Sequence, residues 1–99
     1  MRANLVRFSP RARTDWHSHA MGQTLHIVSG IALIQARGGR LIKARPGDTV
    51  YTPPGEEHWH GATAARFMTH LAMLEVDDAG NAATWGDHVT DEEYAAANL

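Results

Sequence analysis

The sequence predicts an all-β domain that closes into a barrel and ends in one short helix. Three observations lead there. Glycine and proline recur about every ten residues, the spacing of short strands joined by turns. Several segments between them alternate apolar and polar side chains. Beyond Val76 that alternation gives way to a helix-start signal.

Taken in order, the strand segments are 4–8, 23–29, 31–36, 40–44, 49–52 and 66–76. The Gly38-Gly39 pair predicts a tight hairpin with both glycines at the positive φ of a type I′ turn. Pro46-Gly47-Asp48 marks the next reversal. So many short antiparallel strands leave edges that barrel closure or pairing between subunits must hide, and a homodimer or higher homo-oligomer is expected. Residues 77–81 read as a polar loop. Thr90, with Glu93 three residues on, predicts a capping box that opens a short helix over 90–97. A chain of 99 residues is about one small domain, so the expectation is a single domain over 1–99, with the barrel at about 4–76 and a tail with the helix at 77–99.

Composition narrows the function classes. Hydrophobic residues make up 43% and charged residues 20% of the chain, the balance of a soluble globular protein. A net charge of −2 with nine Lys and Arg scattered along the chain offers no basic stripe for nucleic acid. There is no cysteine, so a disulfide framework and a thiolate metal site are both excluded. The opening residues lack the apolar core of a signal peptide, and no apolar run approaches the roughly 18 residues of a membrane span. A cytoplasmic protein without membrane contact is therefore expected.

Seven histidines would mean little without their spacing. His17 and His19 are two apart, which on an extended strand turns both imidazoles to one face within reach of one ion. Gln23 follows, and His58 and His60 repeat the two-apart pattern just after Pro53-Pro54-Gly55. His60 shares a strand face with His58, and its ordinary pKa near 6.5 suits a general base or acid. His70, Ala72 and Leu74 share one face of the last long strand by parity, so His70 is a candidate to line the same cavity as His60. By parity His26 faces away from Gln23, and His88 belongs to the tail; both are left out of the site. Trp16 and Trp59 alternate with the histidines and should pack outward, and Trp85 is expected to be core.

The pattern His17-x-His19-x-x-x-Gln23 with Gly30 resembles the first cupin motif, and Gly47, Pro53-x-Gly55 and His58 resemble the second. The resemblance implies a cupin barrel, that is, a double-stranded β-helix or jelly roll, with His17, His19, Gln23 and His58 as ligands of one divalent metal ion. Two positions depart from the pattern. Gln23 stands where cupins usually carry an acidic ligand, and Ala62 where an Asn often follows the last His. The chain is more similar still to single-domain bacterial cupins with hydroxynitrile lyase activity, through Arg13-Thr14-x-Trp16-His17-x-His19, Gly22-Gln23-Thr24-Leu25, Pro54-Gly55-Glu56-x-His58-Trp59-His60-Gly61-Ala62, Met68-Thr69-His70-Leu71-Ala72 and His88-Val89-Thr90-Asp91-Glu92. That likeness implies a three-His, one-Gln manganese site.

Neutral ligands leave the charge of such an ion uncompensated, which favours polarising a bound oxygen as a Lewis acid. Nitrogen ligands with one amide oxygen suit Mn(II) or Fe(II), while the affinity order also admits Ni, Zn or Cu. The expected activity is reversible cleavage of a cyanohydrin to a carbonyl compound and cyanide, with His60 and His70 moving the proton. Val6, Phe8, Leu25, Ile27, Ala72 and Leu74 are expected to line an apolar pocket for a small-molecule substrate. Two other readings compete: a dioxygenase or oxidative carbon–carbon cleaving enzyme, which oxygen uptake would separate, and a non-catalytic ligand-binding module, which would tolerate loss of His60.

Overall fold

Alternation decides which side chains reach the interior. In β3 (Gln23–Ser29), Gln23, Leu25 and Ile27 are buried while Thr24 and His26 are only half-buried. In β8 (Met68–Leu74), Met68, His70 and Ala72 are the buried set. The computed structural model describes residues 1–76 and 83–97. Its other elements are β1 (Arg2–Phe8), β2 (His17–Ser18), β4 (Ala32–Ala36), β5 (Leu41–Ala44), β6 (Thr49–Thr52), β7 (His58–Ala62), β9 (Thr84–Trp85) and α1 (Asp91–Ala97).

Two antiparallel sheets carry these strands, one in the order β1-β8-β3-β6 and the other β5-β4-β7-β2-β9. The register places Val6, His70 and Ile27 in one row of the first sheet and Ile42, Ile34 and His60 in one row of the second. Between the sheets Leu25, Ile27, Ala32, Ile34, Ala44, Ala62, Met68 and Ala72 form one core, with Phe8 and Val50 packed against it. Small residues on β4 and β7 leave room for the histidine rings inside. Gly61 serves another close approach: a Cβ there would lie 2.6 Å from the Ala12 carbonyl oxygen, so a side chain would push the 12–13 segment off β7.

The outer face of the second sheet is also covered. Trp16, Leu33, Trp59, Val89, Tyr94 and Ala97 form a second buried cluster, so Trp16 and Trp59 do face away from the interior. Thr90 and Glu93 exchange backbone-to-side-chain hydrogen bonds of 2.9 and 3.1 Å, the expected capping box, and the Tyr94 hydroxyl donates to the Ala62 carbonyl at 2.6 Å. The Arg13 guanidinium ties the helix start to the barrel through Val89 and Asp91 and lies 4.5 Å over the Tyr94 ring.

Three expectations change. The turn between β4 and β5 is not type I′: Gly38 has φ 73° while Gly39 is not among the positive-φ glycines. The Gly39 N–H closes onto the Ala36 carbonyl at 2.9 Å, so only the third turn position is left-handed, as in a type II turn. Trp85 is 63% exposed because it sits on β9 at a sheet edge. The strand carrying His17 is two residues long, and His19 follows it rather than lying within it. The loop expected over 77–81 lies outside the described residues.

Candidate metal centre and proton-transfer pair

His17 and His58 face each other across the β2–β7 pairing, with ring centroids 4.3 Å apart. Their Nδ1 atoms turn away from each other toward the backbone: His17 Nδ1 lies 2.8 Å from the Asp15 carbonyl and His58 Nδ1 3.2 Å from that of Glu56. A carbonyl only accepts, so each Nδ1 carries the proton, and each Nε2 presents a lone pair inward. This is how a metal-ligating histidine is commonly oriented. His19 is buried as well, its ring 4.9 Å from that of His17 and 5.4 Å from that of His58. Gln23 arrives from the opposite sheet with Oε1 3.2 Å from His58 Nε2.

That last contact tests whether a cation fits. Burial pushes His58 down to about 4, with the neighbouring His17 adding to the shift, so its ring is neutral near pH 7 and owns one N–H. That hydrogen is already directed at Glu56, and Nε2 and Oε1 then confront each other with lone pairs. Either the Gln23 amide turns its NH2 group inward or a cation lies between the two atoms. Ligands about 2.1 Å from one ion at right or tetrahedral angles are about 3.0–3.4 Å apart, which matches the observed separation. His17, like His58, has its pKa lowered, first by burial, and a ligand must be neutral to coordinate. The residues therefore fit a divalent ion bound through nitrogen and amide oxygen.

His60 enters the same cluster. One nitrogen from each of His17, His58 and His60 lies within 4.8 Å of the others, so these three could reach one ion, and His60 shares the His58 face as its spacing predicts. Its other partner is His70, whose Nε2 is 3.0 Å from His60 Nδ1. His60 Nε2 and His70 Nδ1 are both buried and make no hydrogen bond. Burial holds His60 well below its ordinary pKa, with His70 next in effect, and burial likewise lowers His70. Phe8 closes over the pair, its ring centroid 5.8 Å from His60 and 5.2 Å from His70. Thr14, named in the sequence but given no role there, accepts the His60 backbone N–H at 3.2 Å.

Of the side chains expected to line a pocket, Leu25 and Ile27 are fully buried and Ala72 is 6% exposed, all within the core. Phe8 packs against that core, and Val6 is half-buried beside His70. Leu74 lines a cavity of about 240 Å³ together with Gln23 and Tyr51. His26 contacts Thr49 and His88 contacts Asp15 at 2.5 Å, so neither joins the cluster. Sequence reasoning missed Trp85, whose ring lies 4.7 Å from that of His17 on the side away from His58. A two-residue strand in a tail has no periodicity to announce it.

Comparison with known proteins places the fold in a family. The chain is 51% identical over 89 residues to the (R)-mandelonitrile lyase of Granulicella tundricola, covering 90% of this chain and 67% of that protein. Among solved structures, a cupin-like protein from Thermotoga maritima superposes with a TM-score of 0.89 at 38% identity, covering 96% of this chain and 71% of that one. The DMSP lyase DddQ from Ruegeria pomeroyi shares the fold at 23% identity, with a TM-score of 0.72 over 84% of this chain and 41% of its own. Residues 4–73 match the cupin domain, and the chain belongs to the cupin family.

Proposed function

We propose that this protein is a metal-dependent lyase of the hydroxynitrile lyase type, cleaving cyanohydrins reversibly to a carbonyl compound and cyanide. The observation that carries the reading is the facing pair His17 and His58, kept neutral by burial and oriented by backbone carbonyls, beside the buried pair His60 and His70 with an unpartnered nitrogen on each ring. Similarity to a mandelonitrile lyase points the same way. His17, His19, Gln23 and His58 would hold the ion, Mn(II) being the first choice for this donor set. When bound there, a divalent ion supplies a Lewis acid that polarises an oxygen of the substrate.

The rest falls to the chain's own residues. For His60 Nε2 to accept the hydroxyl proton, Nδ1 must carry the ring's hydrogen and donate it to His70 Nε2. His70 then keeps its own proton on Nδ1. The depressed pKa of His60 keeps that ring unprotonated and ready as a base near neutral pH. As the hydroxyl proton moves to His60, the bond to the nitrile carbon breaks, its electron pair leaves with cyanide, and His60 returns the proton to give hydrogen cyanide. The addition direction reverses each step. Phe8 and the core behind it exclude water from the pair.

The test is cyanohydrin cleavage by the Mn(II)- and Fe(II)-loaded protein, with oxygen uptake followed alongside. His60→Ala should lower turnover by about 10²–10⁴-fold while metal content stays stoichiometric, and oxygen should not be consumed. Loss of the metal in His60→Ala with retention in His19→Ala would instead make His60 a ligand. Oxygen consumption without cleavage would favour an oxygenase.

A further inference from the structure

We infer that Trp85 is a positioning residue for the candidate metal centre: its indole stacks on the His17 imidazole and strengthens the hold of that ring on a divalent cation. This rests on the metal-site reading above and adds a residue that coordinates nothing itself.

Register puts the indole there. One end of the second sheet runs β7-β2-β9, and His17 is the strand partner of His58 on one side and of Trp85 on the other. Residues directly opposite each other on neighbouring strands turn their side chains to the same face, so Trp85 continues the His58–His17 row to the rim of the sheet. The His17 ring therefore stands between two others, His58 at 4.3 Å and Trp85 at 4.7 Å between centroids, with the indole inclined by 31°. Those values suit an offset stack. Backbone hydrogen bonds pin the segment: the Gly86 N–H donates to the Trp16 carbonyl and the Trp16 N–H to that of Asp87, each at 2.8 Å. A Cβ on Gly86 would lie 3.2 Å from the Trp16 oxygen and 3.1 Å from Glu57 Oε2, so the missing side chain suits this close approach.

Packing does not account for the tryptophan. Trp16 and Trp59 are buried in the cluster under the helix, to which Trp85 does not belong, and Trp85 stays 63% exposed while His17 is 2% exposed. What the indole covers is the edge-side face of a candidate ligand. An imidazole that gives its Nε2 lone pair to a cation becomes electron-poor, and the negative face of an indole, the strongest among the aromatic side chains, attracts such a ring. The stack is thus stronger with the cation in place than without it, and by linkage that difference tightens cation binding. Holding the ring between His58 and Trp85 also reduces the side-chain freedom lost on coordination.

The experiment is a Mn(II) titration of the metal-stripped full chain at neutral pH, read by calorimetry and by indole emission, on the wild type and on Trp85→Phe, Trp85→Leu and Trp85→Ala. Trp85→Ala and Trp85→Leu should both weaken Mn(II) binding about five- to tenfold, whereas Trp85→Phe keeps most of the affinity because it keeps an aromatic face. Paramagnetic Mn(II) should quench the wild-type emission, and most of that quenching should be lost in Trp85→Phe, since Trp16 and Trp59 lie on the other face of the sheet. The indole is mostly exposed, so the metal-free variants should melt close to the wild type. An affinity in Trp85→Ala within about twofold of the wild type, or full affinity in Trp85→Leu, would overturn the proposal and leave the metal site standing. A wild-type chain that takes up neither Mn(II) nor Zn(II) would overturn the metal-site reading as well.

Discussion

His58 shows how one side chain is prepared for coordination. Its Nδ1 is committed to Glu56, its Nε2 faces Gln23, and burial keeps the ring neutral with a pKa of about 4. A folded-state value below the unfolded one means that the unfolded chain binds more protons between the two, so stability rises with pH across that window and is flat above it. The metal-free protein should therefore lose stability as pH falls from about 6.5 toward about 4, by on the order of 3 kcal/mol from His58 alone. His17, His60 and His70 shift in the same direction and steepen the loss. Urea titrations at pH 7, 6 and 5 would measure it. A midpoint independent of pH would show that these rings are not held neutral.

At the scale of elements, the helix is a clamp on the sheet that carries His17 and His58. Glu93 caps Thr90 and also accepts from the Trp16 indole at 3.4 Å, while Tyr94 reaches the end of β7 at Ala62. Thr90→Ala removes the N-cap hydroxyl from an exposed position and should cost about 1 kcal/mol, a fall of about 4–8 °C in Tm for a domain of this size. Metal content should not change, because β7 keeps its pairing with β4 and β2. Thermal melts with and without the substitution, together with elemental analysis, would separate a stability effect from one on the site.

For the whole molecule, the ion would join the two sheets: His17 and His58 approach from one, Gln23 from the other, and His19 from the segment just after β2. A ligand that binds only the folded state stabilises it by mass action, about 2.7 kcal/mol at a hundredfold excess over Kd. Chelation should accordingly lower Tm by about 10 °C or more, and re-adding Mn(II) should restore it. His17→Ala should melt near the chelated protein and respond little to added metal. An unchanged melt after complete metal removal would mean that the ion does not bridge the sheets.

Much of this was legible in the sequence because it depends on local chemistry. Two-residue spacing puts His17 beside His19 and His58 beside His60; alternation separates Leu25 and Ile27 from Thr24 and His26; Thr90 and Glu93 announce their cap; and Gln23 stands in a motif whose order implies a ligand. What only the tertiary structure decided depends on distant segments meeting. Parity put His60 and His70 on inward faces, but their 3.0 Å contact requires β7 and β8 to lie in different sheets facing one another. Leu25 and Ile27 satisfy any pocket rule written in one dimension, yet they fill the core because the opposite sheet brings Ile34 and Ala62 against them. Trp85 likewise reaches His17 through a strand of two residues, too short to leave a period in the sequence.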